Sequence, residues 1–385
     1  MTIAQLQTEF EKLYGVQPER IFFCPGRVNL IGEHIDYNGG QVMPCAISLG
    51  TTMLVAKNTE NVFRFRAIDF PETADIDLQD SYKKTGPEWF NYPLGVISEF
   101  LKKGIPLSGL DFLFSGNLPI GSGLSSSASI EVLTAYALND IFGGEMNNVE
   151  LALLGKRVEN DFMGLNSGIM DQFAVAMGKE DNAILLNCDS LEYEYLPFEI
   201  GDYILAIINT NKPRKLVESK YNERFAECMQ AKEKLQQKLN INHLCEVSIE
   251  DFIRNRHLIN NPVIENRALH VISEDERVKK AKGALLSGDI KTFGELMYSS
   301  HESLQNLYEV SGKELDTIVG FCKTYKDCIG ARMTGAGFGG CAIALIKKDS
   351  FDDFKEKVTS YYEQKIGYKP GVFSSIIAEG VRAIA

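Results

Sequence analysis

No apolar run in the chain approaches the roughly 18 residues that cross a bilayer. The opening segment MTIAQLQTEFEKLYG lacks the basic start and apolar block of a secretory leader. Ile3, Leu6, Phe10 and Leu13 instead recur at helical spacing between charges, so an amphipathic helix is expected there. These two absences point to a cytoplasmic protein with no membrane contact. Positive charge is also in short supply. Forty Lys and Arg against 52 Asp and Glu leave a net charge of −12, which argues against non-specific binding to nucleic acid or anionic membranes. It does not argue against an anionic substrate, because a local cationic or amide-lined site holds phosphate inside an acidic protein. The eight cysteines (24, 45, 188, 228, 245, 322, 328, 341) include no CxxC pair. They read as reduced, mostly buried thiols. The five histidines show no metal-ligand spacing, which disfavours zinc. The sequence also lacks internal repeats, low-complexity tracts, an obvious linker and the phosphate-binding pattern GxxxxGK[ST].

What is present suits a large core. The chain has 385 residues, 44% hydrophobic and 24% charged. Length alone suggests about two to three domains. Strands are expected at 21–24 and 42–57, and at 62–68, where VFRFRAI alternates like a half-buried antiparallel strand. Helix 89–103, strand 109–115 and helices 125–142, 147–163 and 168–178 follow. Strands 183–187 and 202–209 precede a charged helix at 217–240 and a polar helical stretch over 241–310. Strands 339–347 and 372–382 flank a helix at 349–364. Strands and helices mix without strict alternation, so the expected fold is α+β with two lobes, 1–195 and 196–385.

The densest chemistry lies in residues 24–45, CPGRVNLIGEHIDYNGGQVMPC. Arg27, Asn29, Glu33, His34, Asp36 and Asn38 crowd together, broken by Gly26, Gly32, Gly39 and Gly40. Sugar hydroxyls both donate and accept, so such groups suit a polyol pocket. Residues 119–129, PIGSGLSSSAS, form a Gly–Ser turn running into a helix. Free amides and the dipole at a helix start favour an anion such as a triphosphate, although there is no lysine here. The match of GAGFGG at 335–340 to a dinucleotide fingerprint fails, because CAIALIK behind it reads as a strand rather than a helix. Those glycines suggest a tight turn through which backbone approaches a ligand. Asp171, in GIMDQF, and Glu159, in GKRVENDF, would not stand out alone.

Together these segments closely resemble the galactokinases of the GHMP small-molecule kinase superfamily. PGRVNLIGEHIDYNGG resembles the galactokinase signature and PIGSGLSSSAS the superfamily's ATP loop. GIMDQF resembles the segment bearing the catalytic aspartate, MTGAGFGGCAI the third motif, and ESKYNERFAEC a tyrosine-bearing segment. The resemblance spans about 10–382. It implies a ribosomal-protein S5-like N-terminal lobe and a ferredoxin-like C-terminal lobe, with the active site in the cleft between them. It implies transfer of the ATP γ-phosphoryl group to the anomeric hydroxyl of galactose by a monomer using Mg²⁺. Asp171 would accept or orient the hydroxyl proton, with Arg27 beside it. Glu33, His34, Ile35, Asp36, Gly168 and Tyr221 would bind the sugar. Gly121, Ser122, Gly123, Leu124, Ser125, Ser126 and Ser127 would wrap the phosphates. Trp89 would lie near the adenine. Gly335, Gly337 and Gly339 would turn toward the site, and Ser127 and Glu159 would hold Mg²⁺. Ser167 and Lys212-Pro213-Arg214 depart from the family pattern near the sugar pocket. Three rivals remain at this level: a kinase for a related sugar such as N-acetylgalactosamine, a non-catalytic galactose and ATP sensor, and a dehydrogenase built on GAGFGG. The bulky Ile169 and Met170 disfavour the first. The intact Arg27, Ser127, Glu159 and Asp171 disfavour the second, and the strand after GAGFGG disfavours the third.

Overall fold

The computed structural model describes residues 1–119, 122–165, 167–212 and 217–384. Gly121, Pro213 and Arg214 therefore lie outside the described residues. Strands β1 (Arg20–Asn29), β2 (Gln41–Val42), β3 (Pro44–Lys57), β4 (Val62–Ala67), β5 (Ala74–Asp77) and β6 (Leu110–Gly116) belong to the first half of the chain. With them go helices α1 (Ile3–Tyr14), α2 (Asn91–Lys102), α3 (Ser126–Ile141), α4 (Asn148–Arg157) and α5 (Met170–Met177). The strands β7 (Asn182–Asn187) and β8 (Tyr193–Pro197) lead to β9 (Tyr203–Asn209). Helices α6 (Val217–Leu235), α7 (Ile249–Asn255), α8 (Pro262–Leu286), α9 (Ile290–Ser303) and α10 (Gly312–Thr324) follow. Strands β10 (Cys328–Thr334) and β11 (Cys341–Lys347), helix α11 (Phe351–Ile366), and strands β12 (Gly371–Ser375) and β13 (Arg382–Ala383) complete the chain.

Three sheets organise these elements. A six-stranded sheet runs β13-β1-β3-β6-β4-β5, a four-stranded sheet β10-β11-β9-β12, and a small sheet β2-β7-β8. The four-stranded sheet is antiparallel, with helices between β9 and β10 and α11 between β11 and β12. That order and connectivity is the split β-α-β arrangement of ferredoxin-like domains. The α+β expectation holds.

Several local expectations change. The segment 62–68 is antiparallel only to β5 and pairs in parallel with β6. The strand expected over 372–382 breaks into two. β12 joins the four-stranded sheet and β13 returns to β1 in the six-stranded one, because the intervening residues cross between sheets. The helix expected over 147–163 loses α geometry after Arg157 and continues as a π-helical turn, Val158–Phe162. Strands β5, β8 and β10 are additions to the expected set.

Two irregularities aim the site. β1 carries a bulge between Pro25 and Arg27. Proline cannot donate to a ladder, and a bulge is where a paired strand tolerates it. A Cβ on Gly26 would lie 2.7 Å from the Leu124 carbonyl oxygen, so only glycine lets the strand touch the loop before α3. Beyond the bulge, Arg27 N–H donates to that carbonyl at 3.1 Å, locking the two segments together. Among the described residues, no helix is long and apolar enough to cross a membrane.

Candidate active site

Arg27 is buried and points across the bulge at the first turn of α5. Its Nε and Nη2 donate to the two Asp171 carboxylate oxygens at 2.9 and 2.8 Å. Nη1 donates to the Gly123 carbonyl at 2.6 Å. Ser125, held at φ +63° at the start of α3, donates its hydroxyl to Asp171 Oδ2 at 2.6 Å. The Ser125 hydroxyl therefore lies on the aspartate, in the loop expected to meet the phosphates. The bidentate fork fixes the plane of that carboxylate, which a point charge could not do.

On the adjoining turn, Ser127 donates to Glu159 Oε1 at 2.8 Å. The π-helical turn brings Glu159 inward, leaving it buried rather than solvated. Below, Glu131 on α3 is fully buried and accepts from Gln172 Nε2 at 3.1 Å. Burial first and the Glu159 charge second push the Glu131 carboxyl well above its ordinary range. Nothing in the sequence marked Glu131.

A cavity of about 530 Å³ opens beside Asp171, lined by Arg27, Glu33, His34, Asp36, Gly168 and Tyr221 among others. Glu159, Ser167 and Gly335 also reach its wall. The sequence-derived sugar and transfer residues thus converge from three separate segments. Glu33 is buried and tied to the second lobe: it accepts from Gly335 N–H and Asn29 Nδ2, and Arg332 Nη2 lies 3.7 Å away. Burial raises its pKa, against the pull of Arg332 and Arg27. The Asp36 carboxyl is pushed up to about 7, by burial first and then by the Glu33 and Asp171 charges. Gly168 packs so tightly that a Cβ there would sit 2.6 Å from Asp36 Oδ2.

Ile35 behaves differently from its neighbours. Its side chain is buried and absent from the cavity wall, and its carbonyl accepts from Asn38 and Gly40 N–H. Asn38 braces the loop through the His34 carbonyl at 3.0 Å rather than facing the cavity. Leu124 is likewise a core side chain whose carbonyl serves Arg27. Ser122 is buried. Lys212 pairs with Glu314 at 2.9 Å, away from the sugar-facing wall. Ser167 donates from N and Oγ to Asn160 Oδ1.

A second cavity, about 340 Å³, lies on the far side of the phosphate loop. Trp89, Phe70, Asp69, Pro119 and Ser126 line it. Trp89, Phe70 and Phe114 give it aromatic walls, and it adjoins the start of α3. From the second lobe the glycine-rich turn meets the loop directly: a Cβ on Gly335 would lie 3.3 Å from the Gly123 carbonyl. Gly337 takes φ +80°, and a Cβ on it would press on the Val310 carbonyl oxygen.

The stretch 241–310, for which the sequence suggested no purpose, props the sugar signature from behind. Glu274 Oε1 on α8 accepts from Gly32 N–H at 3.0 Å and from Ser300 Oγ at 2.6 Å. Burial acts to raise its pKa, yet Arg277, His270 and Arg332 hold it at about 2. His270 Nε2–H donates to the Glu33 carbonyl at 3.2 Å. The isolated polar residues of α8 are therefore inward-facing supports.

Ser127 and Glu159 are two hard oxygen donors side by side, and the described residues contain no cluster of three or more metal-ligating side chains. This fits Mg²⁺, which keeps waters and shares phosphate oxygens rather than occupying a protein cage.

Comparison with known proteins agrees. The galactokinase galactose-binding signature matches residues 8–57, the GHMP kinase N-terminal domain 91–179 and the GHMP kinase C-terminal domain 281–364. A galactokinase of Clostridium tetani is 52% identical over 100% of this chain and 98% of its own length. One of Staphylococcus carnosus is 46% identical over 99% of each. The crystal structure of Lactococcus lactis galactokinase complexed with galactose superposes with a TM-score of 0.95 at 43% identity, covering 99% of this chain and 100% of that one. Methanococcus jannaschii mevalonate kinase, 22% identical with a TM-score of 0.71 over 93% of this chain and 98% of its own, shares the fold. With a fork-bound aspartate between a sugar-sized cavity and a phosphate loop, and full-length relatives at this identity, the chain belongs to the galactokinase family of the GHMP kinases.

Proposed function

We propose that this chain is a galactokinase, transferring the γ-phosphoryl group of ATP to the C1 hydroxyl of α-D-galactose to give galactose 1-phosphate and ADP. The observation that carries the reading is Asp171. It is gripped by Arg27 and Ser125 and opens onto the cavity lined by Glu33, His34, Asp36 and Tyr221. Phosphoryl transfer needs alignment and neutralisation of spread charge more than covalent chemistry. The sugar hydroxyl would sit against Asp171, which holds it in line and takes its proton as transfer proceeds. Arg27 holds that carboxylate still and places positive charge beside the migrating phosphoryl group. Ser122, Gly123 and Ser126 with the first turn of α3 would receive the phosphates, and the aromatic cavity at Trp89 the adenine. Ser127 and Glu159 would hold Mg²⁺, which neutralises phosphate charge when bound. Asp36, Gly168 and Tyr221 would read the sugar hydroxyls. The division 1–195 and 196–385 falls before β9, the first strand of the four-stranded sheet, which supports a cleft between two lobes. The chain is read as a cytoplasmic monomer.

The test is ADP release with MgATP and galactose, N-acetylgalactosamine, glucose, arabinose or mevalonate, with Asp171→Ala as control. A galactose signal lost in the variant supports the reading. A signal for another sugar would move the specificity, and none from folded, ATP-binding protein would replace the enzyme with a sensor.

A further inference from the structure

His34 stands at φ +62°, a conformation rarely taken by residues other than glycine, and both its ring nitrogens are engaged. Nε2 lies 3.3 Å from the Ala336 carbonyl oxygen and Nδ1 lies 2.9 Å from Tyr37 Oη. A carbonyl carries no hydrogen, so Nε2 must be the protonated nitrogen. Burial first, and His270 second, lower the His34 pKa to about 3, so the ring is neutral and Nδ1 is a bare acceptor. Tyr37 must then donate to Nδ1. With that proton committed, Tyr37 Oη accepts from Tyr308 Oη at 2.8 Å. Tyr308 in turn accepts from the Cys228 thiol at 3.1 Å. The hydrogen bonds therefore run one way, from Cys228 through Tyr308 and Tyr37 to His34 and the Ala336 carbonyl.

The chain joins parts of the molecule that are far apart in sequence. Cys228 is on α6, and Tyr308 ends the π-helical turn Leu304–Tyr308 after α9. Tyr37 belongs to the sugar signature, and Ala336 to the glycine-rich turn. Tyr308 is fully buried, with its ring 4.9 Å from that of His34 and 4.5 Å from that of His270. Buried hydroxyls in such numbers need a consistent set of donors, and here that set fixes a tautomer.

We propose that Tyr37 and Tyr308 are positioning residues that hold His34 in its Nε2–H tautomer, so that it offers the sugar a donor. His34 and Ala336 both line the 530 Å³ cavity, and the 3.3 Å bond between them is the longest involving His34. It is the bond a sugar hydroxyl exchanges with on entry. Carboxyl oxygens in the same wall, those of Glu33 and Asp36 among them, are acceptors. A hydroxyl that donates to a carboxylate needs a donor for its own lone pair, and the locked imidazole supplies it. The inference rests on the cavity holding a sugar, as proposed above.

Two measurements test it separately. The first is ring-nitrogen NMR of sugar-free protein, with His34 identified by its loss in a His34→Gln variant. The wild type shows a protonated Nε2 and a bare Nδ1. Tyr37→Phe shifts the population toward the Nδ1–H form, and Tyr308→Phe shifts it in the same direction by less. A wild-type ring protonated at Nδ1, or a tautomer indifferent to both substitutions, overturns the proposal whatever the enzyme's substrate. The second is steady-state kinetics. Losing one well-placed hydrogen bond raises the galactose KM about tenfold in Tyr37→Phe, with the MgATP KM moving less than about twofold. Tyr37→Phe/Tyr308→Phe is no worse than Tyr37→Phe alone, because the relay is already broken. Equal rises in both KM values, or additive losses, would make the tyrosines mere packing and sink the idea. Shifted NMR with an unchanged galactose KM overturns the donor role at the sugar.

Discussion

Replacing Arg27 with lysine keeps the charge and removes the fork. The arginine makes two bonds to Asp171, at 2.9 and 2.8 Å, and one to the Gly123 carbonyl at 2.6 Å. An ammonium reaches one of these places, leaving one carboxylate oxygen and the carbonyl without their donor. Hydrogen bonds to charged groups contribute roughly 1.5–3 kcal/mol each, but the Asp171 side chain is 33% exposed and water re-solvates part of what is lost. A net loss of about 3 kcal/mol in the aligned state is reasonable, equivalent to roughly a hundredfold in kcat. Ser125 still holds Asp171 Oδ2, so the carboxylate stays near its place and galactose binding changes little. The assay is ADP release at saturating galactose and MgATP, with the galactose Kd from calorimetry. Arg27→Lys is expected to lose about a hundredfold in kcat and less than about threefold in Kd. A folded variant with kcat within about threefold of wild type would refute the claim that the fork, rather than the charge alone, aligns the transfer.

Three further outcomes are expected. Gly168→Ala puts a methyl 2.6 Å from Asp36 Oδ2, so the carboxylate must move by several tenths of an ångström; kcat/KM for galactose falls roughly ten- to hundredfold while thermal melting changes little. The Asp36 carboxyl titrates near 3.8 when unfolded and about 7 when folded, so its protonation favours the folded state. That contribution is full below pH 3.8 and disappears as pH rises through about 7; melts of sugar-free protein over this range should show the decline, flattened in Asp36→Asn. Ser127→Ala, which removes the hydroxyl of the pair 2.8 Å apart, and Glu159→Gln, which removes its carboxylate charge, should raise the Mg²⁺ needed for half-maximal activity about tenfold and leave galactose binding, read by calorimetry, unchanged.

Much of the site was readable along the chain because it is built from short contiguous segments. Residues 27–36 carry Arg27, Glu33, His34 and Asp36 in one short segment, and residues 122–127 carry the Gly–Ser turn. Strong periodicity likewise marked α1, α2, α3 and α11 within a few residues of their observed limits. Weak or interrupted patterns failed. A short edge strand such as β5 spans four residues, too few for its alternation to stand out, and the 372–382 segment reads as one strand because sequence cannot report that its two ends serve different sheets.

The sequence by itself determined the motifs, the charge balance and the mixed α+β character, since these depend on residue type and local spacing. It also named the side chains from which the proposed site is drawn. Only the tertiary structure decided what each of them touches. The Ser125 hydroxyl reaches Asp171, and Glu159 came inward on a π-helical turn. The signature's buried polar groups found their partners in Glu274, His270, Tyr308 and Arg332, more than 230 residues downstream. A buried donor or acceptor must be satisfied, but nothing in local spacing says by which distant residue, because that choice is made when the lobes close on one another.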